Sequence, residues 1–238
     1  MNSLFDRLFG CGHSEIVIDG EFLGGTARVG TNEAVIIGTR NKAAIDSALA
    51  LKVAGAILAA VAEDSGPSRP SRPIIFLVDT QGQKLSRHEE LLGLNGYFAH
   101  VASCCDLARR QGHRLLTVIH GDAVSGGFLA FGLMADRVCA LPEAQVRVMD
   151  LRAMSKVTKI PYENLTVLAE ESPVFAPGAE NFWRMGAVDE LWAEDDDWTR
   201  CLAAAVTRIK TEDGRARLGL ERGGRLLAAP ITELVAGI

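Results

Sequence analysis

The stretch His120–Val146, HGDAVSGGFLAFGLMADRVCALPEAQV, decides how this chain is to be folded. The run just before and into it, RLLTVIHG, has the length and apolar content of a strand buried on both faces. Gly126 to about Ala135 then reads as a short apolar helix, and RVCAL and QVRVM read as further strands. Between strand and helix sits Ser125-Gly126-Gly127. Two glycines at the mouth of a helix have two readings. They let a helix pack closely on a strand, or they bare backbone N–H groups so that a ligand oxygen can reach them.

Upstream the same pattern recurs. IIFLVD, from Ile74, is a second buried strand, followed by the polar turn TQGQKLSRHEE and a helical stretch from about Glu89 to Gln111, interrupted near Gly93 and Gly96. Before these, the short runs IVID, TARVG and EAVIIG alternate with glycine turns. Asn41 fits the N-cap of an Ala/Leu-rich helix reaching Glu63, and EDSGPSRPSRP is a Pro/Ser loop. From Leu151 the pattern is helical, broken at Pro161, Pro173 and Pro177, with VDELW as a short strand. Alternating strands and helices with apolar strands give the α/β class, with sheets covered by helices.

The first dozen residues read as a loose tail, and the segment after Gly214 is Gly/Arg-rich and weakly patterned. The 238 residues are 48% hydrophobic, enough for a sizeable core, and a net charge of -5 argues against a nucleic-acid or anionic-membrane surface. The opening residues do not form a signal peptide, and the longest apolar run, Val53 to Ala62, is far short of a membrane span. The five cysteines (Cys11, Cys104, Cys105, Cys139, Cys201) show no CxxC or zinc spacing and read as thiols of a reducing cytoplasm. His100 and Cys104, four apart, read as packed helix residues rather than a metal pair, and no metal is expected.

Two strand ends therefore carry glycine turns, VDTQGQ at 78–83 and GDAVSGG at 121–127. Amides from two such turns can form an oxyanion hole for a developing enolate, with Gly82, Gly126 and Gly127 as the candidate N–H donors. A nucleophile at Ser125, by analogy with the G-x-S-x-G elbow, would want a later histidine, and His13, His88, His100, His113 and His120 all precede it. Asp79 and Thr80 read as turn caps, Asp136 as a partner at a helix end or strand start, and Asp150 as a surface acid paired with Arg147 or Arg152.

GDAVSGGFLAFGLMADRV resembles the G-x-x-x-S-G-G-x-L-A-x-G-x-x-D-x-V signature of carboxyltransferases in the crotonase superfamily. FLVDTQGQ...HEELLG is similar to that branch's DTPGAYPG...EERG element, with Gln81 in place of the proline. With NKAAIDSALALKVAGAILAAV, VTKIPYENL and FAPGAENFWRMGAVDELW, the similarity narrows to the γ-subunit family of biotin-independent malonate decarboxylases, over roughly residues 20 to 205. The resemblance implies a crotonase-like (ClpP/crotonase) fold of stacked sheets, spanning residues 15–212 between a flexible tail (1–14) and a C-terminal tail (213–238), the latter helical and interface-forming. It implies decarboxylation of a malonyl thioester by backbone oxyanion holes, in an obligate heteromer with a homologous β-subunit. The substrate would arrive on an acyl carrier protein with a phosphoribosyl-dephospho-CoA arm; the chain itself would bind no cofactor, and biotin is not expected. Gln81, Gln83, Ser125, Phe128 and Tyr162 are the candidate substrate contacts, Tyr162 and Asn164 reading as packing first.

Enoyl-CoA hydratases carry a glutamate where Phe128 and Leu129 stand, and Clp-type peptidases a histidine where Met149 falls, so neither chemistry has its residues here. Two rivals stay open: the α-type half of a biotin-dependent acyl-CoA carboxyltransferase, and a non-catalytic scaffold completing its partner's pocket. Loss of CO2 from a malonyl thioester needs no nucleophile, only stabilisation of the enolate, which accounts for glycine turns without an adjacent base.

Overall fold

A computed structural model describes residues 3–13, 15–66, 70–171, 176–210 and 212–237. The expected break at Pro173 lies outside the described residues. In chain order the elements are α1 (Leu4–Phe9), β1 (Val17–Asp19), β2 (Phe22–Val29), β3 (Asn32–Thr39), β4 (Ala43–Ile45), α2 (Ser47–Glu63), β5 (Ile74–Gln83), α3 (Arg87–Leu92), α4 (Leu94–Arg110) and β6 (Leu115–Val124). They continue with α5 (Ser125–Phe131), β7 (Arg137–Ala140), β8 (Gln145–Arg147), α6 (Leu151–Thr158), α7 (Tyr162–Glu171), α8 (Ala179–Arg184), β9 (Glu190–Leu191), α9 (Trp198–Thr207), α10 (Arg215–Glu221) and α11 (Ala228–Ala236).

The sheet runs β1-β2-β3-β5-β6-β7-β9, antiparallel through β1, β2 and β3 and parallel from β3 onward. The two long strands each have two sets of partners. Ile74–Leu77 of β5 pair with β3, while its end pairs with β4. Leu116–Ile119 of β6 pair with β7, while Asp122–Val124 pair with β8. The register between β5 and β6 shifts between Val78 and Thr80, where both strands change partners. Among the described residues the strands thus form one mixed sheet, from which β4 and β8 branch off the ends of β5 and β6.

Both faces are covered, which is why these strands read as continuous apolar runs. Ile74, Phe76 and Val78 pack into one core with Val53, Ile57, Val101 and Phe131, carried by α2, α4 and α5. Ile75 and Leu77, one step along the pleat, face the other core with Leu8, Phe9, Trp192, Trp198 and Leu202.

Two local expectations are corrected. Leu4–Phe9, in the stretch expected to be loose, form α1: Ser3 and Asp6 make a capping box, Leu8 and Phe9 are buried, and the Arg7 guanidinium stacks 3.2 Å from the Trp198 ring centroid. The long helix starts at Ser47 with Asp46 as N-cap, its carboxylate accepting the Leu49 N–H at 2.9 Å, and not at Asn41. Asn41 and Lys42 instead sit in the left-handed region at φ 59° and 52°, turning the chain into β4. Asparagine tolerates that region; Lys42 is held there by its N–H, which donates to Asp79 Oδ2 at 2.9 Å. The residues beyond Gly214 form the helices α10 and α11.

Candidate active site

The ends of β5 and β6 are tied together by one carboxylate. Asp79 is buried; its Oδ1 accepts the Asp122 N–H and its Oδ2 the Lys42 N–H, each at 2.9 Å. Only glycine fits at 121, since a Cβ there would lie 2.4 Å from Asp79 Oδ1. Thr80 caps its own turn: its hydroxyl donates to the Ala43 carbonyl at 2.6 Å and accepts the Gly82 N–H at 3.0 Å. Thr80 is thus the turn cap read from the sequence, whereas Asp79, expected to cap the same turn, instead ties two distant segments together because its carboxylate points across to the end of β6 and the turn before β4. Gly82 has φ 101°, a backbone setting that favours glycine, and its amide is engaged inside the turn rather than presented to a ligand.

At the end of β6 the chain turns sharply into α5. Ser125 holds φ 51°, an unusual setting for a residue with a side chain, with a strain of about 1–3 kcal/mol. His120, the nearest preceding histidine, directs Nε2 to the Thr39 carbonyl at 3.0 Å, and burial pushes its pKa down. Gly126 and Gly127 fall in the first turn of α5, where backbone N–H groups lack the partner a helix supplies further on.

The two glycines divide the readings between them. A Cβ on Gly127 would sit 3.0 Å from the Gly82 carbonyl carbon, its Cα and Thr80 Oγ1, so this glycine exists to let α5 close on the β5 turn. Gly126 faces outward into a cleft of about 330 Å³ lined by Gln83, Lys84, Leu85, Glu90, Leu94, Asn95 and Phe98. Its N–H donates to Gln83 Oε1 at 3.2 Å, and the atoms nearest a Cβ there would be those of the Gln83 carboxamide and the Phe98 ring, from 3.3 Å. Gly127 packs; Gly126 lines the cleft, its amide held by the Gln83 carboxamide.

The remaining sequence candidates scatter. Phe128, expected to touch substrate, is 1% exposed and packs in the core instead, because the helix turns its side chain inward. Gln81 is exposed and Tyr162, on α7, lies under the Arg152 guanidinium at 4.8 Å; neither lines the cleft. Asn95 and Phe98 of α4 and Lys84 line it without having been singled out; the interrupted helix at Gly93–Gly96 was their one sequence signal. Lys84 Nζ pairs with Asp46 at 3.2 Å. A larger cavity of about 590 Å³, between the N-terminal segment and β2, touches neither glycine turn.

Around the site the charges serve structure. Arg147 pairs with buried Asp122 at 3.1 Å rather than with Asp150. Asp150 N-caps α6, accepting the Arg152 and Ala153 N–H groups at 2.8 and 3.0 Å, and the Ala153 amide holds its carboxyl below the usual range. Asp136 accepts from Arg109 at 2.6 Å and from the Leu115 N–H at 3.0 Å, the strand-start partner expected of it.

Residues 40–238 match the family MdcE, malonate decarboxylase gamma subunit. The chain belongs to the malonate decarboxylase gamma-subunit family. A curated relative, the malonyl-S-ACP:biotin-protein carboxyltransferase MADD of Malonomonas rubra, is 33% identical over 178 residues, 69% of this chain and 61% of MADD. The gamma-type chain therefore spans less than two thirds of that relative's length. Among solved structures, a Pseudomonas malonate decarboxylase hetero-tetramer in complex with coenzyme A contains a chain with TM-score 0.82 and 23% identity, covering 98% of this chain and 97% of that one. The transcarboxylase 12S core superposes with TM-score 0.64 at 21% identity, over 81% of this chain and 36% of its own. These likenesses show a fold shared with the malonate decarboxylase and transcarboxylase chains.

Proposed function

We propose that this gamma subunit, with a homologous β-subunit, decarboxylates a malonyl thioester carried on an acyl carrier protein to the acetyl thioester and CO2. The observation that carries the reading is the Gly126 N–H, a first-turn helix amide on the wall of an open cleft, held only by the Gln83 carboxamide at 3.2 Å. As the bond between the malonyl carboxylate and the α-carbon breaks, its electron pair moves onto the thioester oxygen, and CO2 leaves. The Gly126 amide and the positive end of α5 lower the energy of that enolate oxygen. A proton then adds at the α-carbon to give acetyl. Gly127 and Gly82 serve this donor indirectly, by holding α5 against β5; Gln83 borders the cleft, and Ser125 sets the turn that aims Gly126.

The cleft suits the acyl end of a thioester, at the small end of ligand-site volumes. The phosphoribosyl-dephospho-CoA arm belongs to the carrier protein, and no cofactor is assigned to this chain. All five cysteines are free, in keeping with a reducing cytoplasm, and among the described residues no helix is long and apolar enough to cross a membrane.

A second reading is favoured by one observation. MADD is named as transferring carboxyl from malonyl-S-ACP to a biotin protein, so the same enolate-forming half-reaction could end on biotin. Avidin distinguishes the two, because CO2 release by the co-purified complex is indifferent to it under the decarboxylase reading and stops under the transfer reading.

The amide itself is tested by Gly126→Ala in the co-expressed complex. The added methyl meets movable side chains, so assembly is retained, while turnover falls by about 10²–10³ because the oxygen can no longer approach the N–H. An assembled Gly126→Ala complex at full rate overturns the reading.

A further inference from the structure

Gln83 stands out because its carboxamide already holds the amide that the proposed chemistry needs. The Oε1 to Gly126 N distance is 3.2 Å, at the long end for an N–H···O bond, and the side chain is half-buried on the wall of an open cleft. It is the last residue of β5, held in register with Ile45 of β4, and its side chain reaches the amide of α5 from that strand end. A neutral bond of this kind is weak against one made to a developing oxyanion, which is about twice as strong. Carboxamide and thioester oxygen cannot both accept the one Gly126 hydrogen in good geometry.

We infer that Gln83 is a positioning residue that occupies the Gly126 amide before substrate arrives and surrenders it to the thioester oxygen. The inference rests on the reading of Gly126 given above. It keeps a buried-side N–H satisfied and α5 aligned in the unliganded subunit, and it sets a competition that every substrate must win. Because the competitor is neutral, an oxygen gaining charge displaces it more completely than the uncharged thioester carbonyl does. Gln83 thereby weakens ground-state binding more than it hinders the reaction.

Two variants of the co-expressed complex test this with malonyl-CoA as the soluble probe substrate. Gln83→Met keeps the length and removes the acceptor, so KM falls by a few-fold, bounded near tenfold by the worth of one neutral hydrogen bond. Gln83→Glu puts a charged acceptor on the same amide and beside the malonyl carboxylate, so KM rises by about tenfold or more. The opposite signs, expressed in KM rather than in kcat, are what a merely structural side chain would not produce. KM rising in both variants shows that Gln83 contacts the substrate and overturns the proposal, as does KM unchanged in both. The Gly126→Ala complex separates the two levels: with it inactive and the Gln83 variants showing no opposite shift, only the role of Gln83 falls; with it fully active, the amide reading falls first.

Discussion

Gly127→Val is the substitution whose outcome the structure fixes most tightly. The first carbon added at 127 lies 3.0 Å from two backbone atoms of Gly82 and from Thr80 Oγ1, and backbone cannot swing aside as a side chain can. Overpacking of this kind costs about 1–3 kcal/mol. A helix gains at most about 1 kcal/mol on losing a glycine, and less when the replacement is β-branched. The net loss is therefore about 1–2 kcal/mol. For a chain of this size each kcal/mol is about 2–4 °C, so melting of the complex drops by about 2–8 °C, with activity falling alongside. Differential scanning fluorimetry and turnover on the same preparations check it. A Gly127→Val complex that melts like wild type yet has lost turnover would refute the packing role and return Gly127 to the chemistry.

Burial holds the His120 imidazole below its ordinary pKa of 6.5, so the unfolded chain takes up the proton first. Stability is then fully present above about pH 6.5 and declines as pH falls toward the folded value; His120→Gln flattens that part of a melting-versus-pH profile, and an unchanged slope counts against it. Among the thiols, Cys11 is exposed, burial pushes Cys105 up to about 12, and Cys139 is raised well above its ordinary value. Iodoacetamide on the native protein therefore labels Cys11 and spares Cys105 and Cys139 until denaturant is added, and peptide mass spectrometry showing early modification of Cys139 would contradict its burial.

Much of the fold was legible because buried parallel strands announce themselves: IIFLVD and RLLTVIHG have no polar face to hide. The glycine turns were equally visible, and their place at the ends of β5 and β6 followed from those strands. What the sequence withheld depends on contacts across long separations. Asn41 looked like a cap because nothing local says that Asp79 will seize the next amide and bend the chain into β4. The N-terminal residues looked loose because six helical residues carry little periodicity, and Leu8 and Phe9 acquire meaning only against Trp198. Within the site, Ser125-Gly126-Gly127 is nearly uniform in composition, so which glycine packs and which lines the cleft is a matter of helix phase. Phe128 was misplaced by the same one-residue ambiguity, and Gln83 gave no hint that it would reach an amide forty-three residues on.

The carboxylate of Asp79 has a consequence for how the chain acquires this shape. Its two oxygens hold amides thirty-seven residues before it and forty-three after it, and the strands they join are parallel, so none of these bonds can form locally. Parallel pairings at such separations close late and slowly. During synthesis the cleft has no existence until β6 has left the ribosome and docked beside β5. Until then the Thr39 carbonyl lacks its His120 partner on β6 and the Asp79 carboxylate its Asp122 amide, and the half-built sheet is at that moment a surface needing protection.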